Sequence, residues 1–402
     1  MSAHPTTQLR RLARIRNGAD YKEVEDPEGE YPVYGSGGIF SRASRYLYEG
    51  PSVLLGRKGT IDKPLLVDGE YWTVDTMFCA QPAVGVDPRF LYYVCTTIPF
   101  GMLSTNTALP SMSQGDLNAV MLPRPQESEQ VRIADFLDRE TAKIDALIAK
   151  QEQLIATLQE DRIATITHAV TRGGLDSEQT VPAESAWVGR RPRTWTETKM
   201  KYLIDSVESG TSVNGADTSP AADELGVLKT SAVSTGSFVP TASKTVVGED
   251  VQRLSCPVRA GTLLVNRANS PRFVGSAAYV DYAPENLYLS DKIWQFDLRG
   301  AAAEFVHLWT LTPGGYRSQI QSGIVGTSSS MQNVSMADYR ELALAVPDLV
   351  EQRSIVNAVR ARVGVIINLV NKSTESIATL REYRSALITD AVTGKIDVRE
   401  MV

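Results

Sequence analysis

The sequence predicts an α+β protein in which two mixed α/β heads, related by a pseudo-twofold axis, are joined by two long antiparallel helices forming an intramolecular coiled coil. Two observations carry this. Residues 129–171 align with 351–393 at a fixed offset of 222 without a gap, with 18 of 43 positions identical. Within each copy apolar residues recur at steps of three, four and seven, the signature of one apolar stripe on a helix. The remaining parts repeat only faintly and in short pieces, as diverged copies of one domain with loops of different length should.

The first head is expected over residues 1–125. It opens with RRLARIR (10–16) and carries YPVYGSGGIF (31–40), SVLLGRKGT (52–60) and VDTMFCA (74–80). A helical region over 126–172 follows, beginning ESEQ and ending ITHAVT, with Gly173 placed as a C-cap. Its stripe is Leu137, Ile144, Leu147, Ile148, Leu154, Ile155 and Leu158. Some 40 residues at 1.5 Å each make a rod of roughly 60 Å, which needs a partner for its apolar face. A linker is expected over 173–189.

The second head is expected over 190–348. TLLVNRANS (262–270) echoes SVLLGRKGT at an offset of 210, and SDKIWQF (290–296) echoes VDTMFCA at 216. RRPRTW (190–195) is read as the counterpart of the basic opening RRLARIR. The second helical region, 349–393, supplies the partner stripe: Val359, Ile366, Leu369, Val370, Ile377 and Leu380. Gly364 weakens it by about 1 kcal/mol relative to alanine, Ser373 takes the seam position that Gln151 holds in the first copy, and Gly394 opens a tail over 394–402. The plainer arrangement, with each helix packed into the core of its own head, stands beside the coiled coil.

Composition agrees with ordinary globular protein: 43% hydrophobic, 22% charged, net charge −6. Residues 126–189 hold 6 basic against 12 acidic side chains, whereas 1–125 (12 and 13) and 190–348 (15 and 16) are near neutral, which leaves room for a basic face on either head. Cys79, Cys95 and Cys256 are scattered without a CxxC pair, so neither a disulfide framework nor a zinc site is expected. No run is long enough to span a bilayer, and the start of the chain has no apolar core of signal-peptide length; the cytoplasm is the expected compartment.

The double block EQxxI…LI…IATLxExR…ITxAVT, preceded each time by a proline-containing strand end (MLPRPQESEQ, LAVPDLVEQ), resembles the helical regions of the specificity subunit of Type I restriction–modification systems. YPVYGSGGIF and GRKGTIDKP (56–64) resemble a version of that family's target-recognition domain. NAVRARVGV (357–365) departs from the FLDRE-like segment expected there. The resemblance implies that each head is a target-recognition domain reading one half of a split site on double-stranded DNA, and that the coiled coil sets the spacer. It further implies docking of two modification (methyltransferase) subunits, which two restriction subunits can join. S-adenosylmethionine would belong to the modification subunits, ATP and magnesium to the restriction subunits, and no cofactor or metal to this chain.

The residues themselves point away from catalysis. There is no GxxxxGK[ST] loop and no NPPF- or DPPY-type motif, and His4, His168 and His307 are the only histidines. For DNA contact the candidates are Tyr34, Ser36 and Gly37 in YGSGG, then Arg57, Lys58 and Thr60 just after an apolar strand. Arg267, Asn269 and Arg272 occupy the equivalent loop of the second head, with Thr105, Asn106, Ser328 and Ser329 in matching polar loops. Arginine reads guanine, asparagine reads adenine, and lysine, hydroxyls and glycine N–H groups hold phosphate. A self-contained methyltransferase or nuclease, and a coiled-coil adaptor with no DNA role, are the rival readings.

Overall fold

The computed structural model describes residues 4–103, 111–174, 179–325 and 331–398. They form two compact units, Met1–Gln153 with Ser373–Val402 and Leu154–Lys372.

In unit 1 the strands are β1 (Thr6–Gln8), β2 (Ala13–Asn17), β3 (Tyr31–Gly35), β4 (Gly38–Ala43), β5 (Tyr48–Glu49), β6 (Ser52–Gly56), β7 (Leu65–Val67), β8 (Glu70–Thr73), β9 (Met77–Pro82) and β10 (Met121–Pro123). The helices are α1 (Pro88–Thr96), α2 (Phe100–Leu103), α3 (Gln114–Ala119) and the first part of α4 (Glu127–Arg172). One antiparallel sheet runs β2-β9-β6-β7; the other, β4-β3-β8-β5, contains a single parallel pair, β3 with β8. Every residue of β6 is buried, so SVLLG reads as a continuous apolar run rather than an alternation. Helix α1 starts where the Asp87 carboxylate accepts the Arg89 and Phe90 N–H groups, both at 2.9 Å, with Pro88 in the first turn.

Unit 2 contains β11 (Thr180–Pro182), β12 (Arg190–Pro192), β13 (Thr196–Lys199), α5 (Met200–Leu203), β14 (Ile204–Ser209), β15 (Gly215–Ala216), β16 (Gly226–Leu228), α6 (Ser231–Ser234) and β17 (Ser243–Val246). They are followed by β18 (Leu263–Asn266), β19 (Ala268–Asn269), β20 (Ala277–Tyr279), β21 (Leu287–Tyr288), β22 (Ile293–Leu298), α7 (Ala303–Thr310), α8 (Ser318–Ser322), β23 (Ile324–Val325), β24 (Gln332–Val334), α9 (Met336–Arg340), β25 (Ala343–Val346) and the first part of α10 (Leu349–Thr393), whose end belongs to unit 1. The order β14-β22-β18-β20 repeats β2-β9-β6-β7, and the parallel pair β16 with β21 repeats β3 with β8. The hairpin that closes on Ser36 and Gly37 in the first copy is replaced by the stretch from Leu228 to Ser243, which carries α6.

The stretch read as a linker is not bare: β11 pairs with β12. The basic openings are not counterparts. Leu9 N–H donates to Val120 O (2.8 Å) as Met200 N–H does to Leu342 O (2.9 Å), and Ala83 N–H reaches Leu12 O as Arg299 N–H reaches Leu203 O. RRLARIR therefore matches KYLIDSV (201–207), and RRPRTW lies upstream, with Arg190 and Arg191 bonded to Thr180 and to the Trp195 carbonyl. Similar charge had suggested the match, but backbone register decides it.

Helices α4 and α10 are 46 and 45 residues, roughly 70 Å each. They pair antiparallel in both units: Arg384 bonds Asp145 and Arg381 bonds Glu152 in unit 1, and Arg362 bonds Asp161 in unit 2. Of the predicted stripe, Leu137, Ile144, Val359, Ile366 and Ile377 are buried, and Ile148, Ile155, Leu158, Val370 and Leu380 half-buried. Leu147, Leu154 and Leu369 are corrections: they are 48%, 44% and 44% exposed. The seam takes Gln151 and Ser373, as expected, and also Thr141 and Val363, which complete an unbroken four-three spacing. Each helix also enters a head. Ile133 and Leu137 share a core with Phe90, Leu91 and the distal Ile388, Ala391 and Val392, while Ile355 and Val359 share another with Phe305, Ile166 and Val170.

The identities at the helix starts have structural causes. Gln130, 1% exposed, accepts from Asp87 N–H (3.0 Å) and donates to Pro125 O (3.0 Å) and Gly85 O (3.3 Å). Gln352, fully buried, repeats this with Ala302 N–H, Pro347 O and Gly300 O. Ser113 and Ser335 cap α3 and α9 through Asp116 and Asp338. Gly173 and Gly394, at φ 63° and 72°, end the long helices; a Cβ at Gly394 would lie 2.6 Å from His4 Nε2.

Candidate nucleic-acid interface

Strands β6 and β18 are buried along their length, so the residue after each is the first able to leave the sheet. That residue is Arg57 in one unit and Arg267 in the other. Arg57 N–H donates to Thr76 O (2.8 Å) and its carbonyl accepts from Met112 N–H (3.0 Å). Arg267 N–H donates to Lys292 O (3.0 Å) and its carbonyl accepts from Val334 N–H (3.0 Å). Three offsets, 210, 216 and 222, thus meet at one backbone junction, and the two arginines hold equivalent places in their own units. Gly56 is required before Arg57, since a Cβ there would lie 2.3 Å from Thr60 O. The second copy has Asn266, whose amide donates to Thr230 O (3.0 Å) and Ser234 Oγ (3.2 Å).

Arg57 is half-buried, its guanidinium 5.8 Å from the Phe78 ring centroid, with Nη1 donating to Asp75 O (3.3 Å). It walls an open cavity of about 420 Å³ with Asn17, Leu103, Ser111 and Gln114. Lys58 and Thr60 are exposed beside it, as are Arg267 and Arg272 in unit 2. Among the described residues none of Arg57, Lys58, Arg267 and Arg272 has a carboxylate partner. Cations held out without a counter-charge are what a polyanion needs. Arg272 also lies over Phe273, 5.4 Å from its centroid.

Other candidates fare differently. Asn269 is engaged within the fold: its side-chain oxygen accepts from Ser270 N–H (2.8 Å) and its amide donates to Ser234 Oγ (3.4 Å). Tyr34 is half-buried, its ring edge-on to buried Tyr71 at 5.8 Å, and serves the small core. Ser36 and Gly37 form the tip of the β3–β4 hairpin, closed by Gly38 at φ 104°. Thr105, Asn106, Ser328 and Ser329 lie outside the described residues. Sequence reasoning passed over Ile39 and Phe40, which follow that tip and are 58% and 54% exposed. Two bulky apolar residues in succession on a half-buried strand were the available signal, because alternation can bury only one.

Chemistry is sparse around these residues. Among the described residues no cluster of three or more His, Cys, Asp or Glu could hold a metal ion, and none of the helices is long and apolar enough to cross a membrane. Cys95 is fully buried, which pushes its thiol up to about 12, far from a reactive thiolate.

Residues 6–157 match the family described as Type I restriction modification DNA specificity domain. The EcoEI specificity subunit of Escherichia coli is 27% identical over half of this chain and 34% of its own length. The EcoKI subunit is 22% identical over 73% of this chain and 61% of its own length. The chain thus spans between about a third and three-fifths of these relatives. The EcoBI subunit is 20% identical over 82% of this chain and 72% of its own length. A solved chain from work on complex assembly and conformational transition of the type I R-M system shares the fold, with TM-score 0.66 and 16% identity over 98% of both chains. Duplicated heads, duplicated long helices and this pattern of similarity converge: over residues 6–157 the chain is similar to the Type I restriction modification DNA specificity domain, and as a whole it shares the fold of a solved type I R-M chain.

Proposed function

We propose that this chain is the DNA-recognition subunit of a Type I restriction–modification complex. Each head reads one half of a split, asymmetric site, and the helix pair sets the spacing between the halves. The observation that carries this reading is the equivalence of Arg57 and Arg267, two cations at one junction in sequence-divergent heads with no carboxylate partner among the described residues. Lys58, Thr60, Arg272, Ser36 and the Gly37 backbone hold phosphates or base edges nearby. Ile39 and Phe40 suit a wedge against a base step. Modification subunits dock on the chain, two per complex, and bring S-adenosylmethionine; restriction subunits, where present, bring ATP and magnesium. This chain supplies the address and no turnover, in the cytoplasm.

The test is a swap of residues 1–125 for those of a relative, followed by mapping of methylated bases in cells holding the modification subunit. One half of the methylated sequence is expected to change. A change in both halves overturns the two-reader assignment, and methyl transfer or cleavage by the chain alone overturns the non-catalytic one.

A further inference from the structure

The repeat allows each helix residue to be compared with its own counterpart, and one pair differs in a telling way. Arg384, near the end of α10, makes a two-point ion pair with Asp145: Nε to Oδ1 at 2.9 Å and Nη2 to Oδ2 at 3.2 Å. Tyr92 of α1 is hydrogen-bonded to the same guanidinium. The counterpart of Arg384 is Arg162 on α4, identical and at the same offset of 222. Both of its partners have gone. The position of Asp145 is Ile367, and the position of Tyr92 is His307, whose Nε2 is 2.9 Å from the Gly236 carbonyl. Arg162 Nε is buried without a hydrogen-bond partner, and no carboxylate pairs with Arg162 among the described residues.

Nothing has filled the space. Arg162 walls a cavity of about 620 Å³ in unit 2, together with Phe238, Leu311 and Ile367 and with two carboxylates, Asp281 and Glu304. Gly364 on the same wall has open space where a Cβ would stand. The neighbouring cation, Arg360, is held by Glu304, and the exposed Asp281 makes no ion pair with Arg162 among the described residues, so the demand of Arg162 stays unmet there. A guanidinium is a fork that matches a carboxylate, and a buried donor without an acceptor is unfavourable. The lining is mixed, but its apolar part, Phe238, Leu308, Leu311, Val363 and Ile367, suits an acid with an apolar body, whereas a phosphate prefers several donors and water.

We infer that the cavity is a binding site for a carboxylate carried on an apolar body, with Arg162 as its anchor in the place that Asp145 fills for Arg384. The acid can come from a free amphipathic metabolite or from an acidic side chain on a protein partner; the recognition chemistry is the same.

The full-length chain is titrated calorimetrically with 3-phenylpropionate and with its uncharged twin 3-phenylpropanol. The acid is expected to saturate one site per chain, and the alcohol to bind about tenfold more weakly, the loss that one charged hydrogen-bonding partner represents. Arg162→Gln should cost at least as much. Ile367→Asp, which writes the first copy's partner into the second, should abolish binding while leaving the melting temperature equal or higher. The proposal is overturned if the acid does not saturate, if it binds wild type and Ile367→Asp alike, or if inorganic phosphate displaces it equally well. Competition between 3-phenylpropionate and a modification subunit for the chain assigns the acid to a protein partner; binding of both together assigns it to a small molecule.

Discussion

Reversing one charge where α1 meets α4 should reveal how strongly the first head is seated. Asp138 accepts from Arg89 Nη1 (2.9 Å) and from the Tyr93 hydroxyl (2.7 Å), and Arg89 also reaches Asp135 at 2.8 Å. The counterparts, by register, are Glu304 for Arg89 and Arg360 for Asp138, so the second head keeps the ion pair with its polarity inverted. Arg89 and Asp138 are 37% and 43% exposed at the side chain, which limits their pair to about 0.2–1 kcal/mol. Tyr93, by contrast, is 4% exposed, and burial raises its hydroxyl pKa, so its bond to the carboxylate is worth about 1–3 kcal/mol. Asp138→Ala should therefore cost about 1.2–4 kcal/mol, and Arg89→Ala only the smaller part. Arg89→Glu with Asp138→Arg, the second copy's polarity, should recover about 0.5–1 kcal/mol relative to the sum of the single changes. Denaturant-dependent hydrogen exchange at residues 88–96 reads unit 1 separately from unit 2, which a global melt of a two-unit chain does not. A loss under about 0.5 kcal/mol for Asp138→Ala, or strict additivity of the reversed pair, would refute the reasoning.

Four further outcomes are expected. Arg57→Ala and Arg267→Ala should each weaken specific DNA binding by the assembled complex by about 1–3 kcal/mol without shifting the melting temperature of the chain, measured by titration at fixed salt. Gln352→Leu leaves Ala302 N–H and Pro347 O buried without partners and should cost about 2–4 kcal/mol in the stability of unit 2, read by the same exchange experiment. Gly394→Ala should lower the melting temperature, because it combines a positive φ with a clash against His4, and His4→Ala should restore part of the loss. Glu341, held by Lys199 and Lys201 at 2.7 Å each, titrates at about 2 rather than 4.5. Its contribution to folding is complete above the ordinary value and disappears as pH falls through about 2. Carboxyl NMR should show that midpoint moving up in Lys199→Met with Lys201→Met.

Much of the fold was legible because repetition is visible without any knowledge of contacts. Gln130 and Gln352, in the EQ that opens both aligned blocks, are identical in sequence before their clamping role can be assigned. The seam was half-legible: Ile144 and Ile366 announce themselves and fix the places of Gln151 and Ser373, whereas Thr141 is a polar residue placed inside by helix phase, and Leu147 is an apolar residue placed outside by it. In the heads, a strand followed by an arginine was enough to find Arg57 and Arg267. The commitment of Asn269 to Ser234 could not be foreseen, because the two lie far apart in sequence and meet only after β18 and α6 pack together. The mistaken pairing of RRLARIR with RRPRTW has a similar cause, since composition carries no register.

The strand pair formed by β3 and β4, and again by β16 and β17, closes through Ser36 and Gly37 in one copy and through everything from Lys229 to Ala242 in the other. A frame that accepts either closure while keeping the same three neighbouring strands, β4-β3-β8 in one copy and β17-β16-β21 in the other, places few demands on what is mounted there. New specificities could therefore arise by exchanging that cartridge alone, leaving the helical clamps at Gln130 and Gln352 untouched.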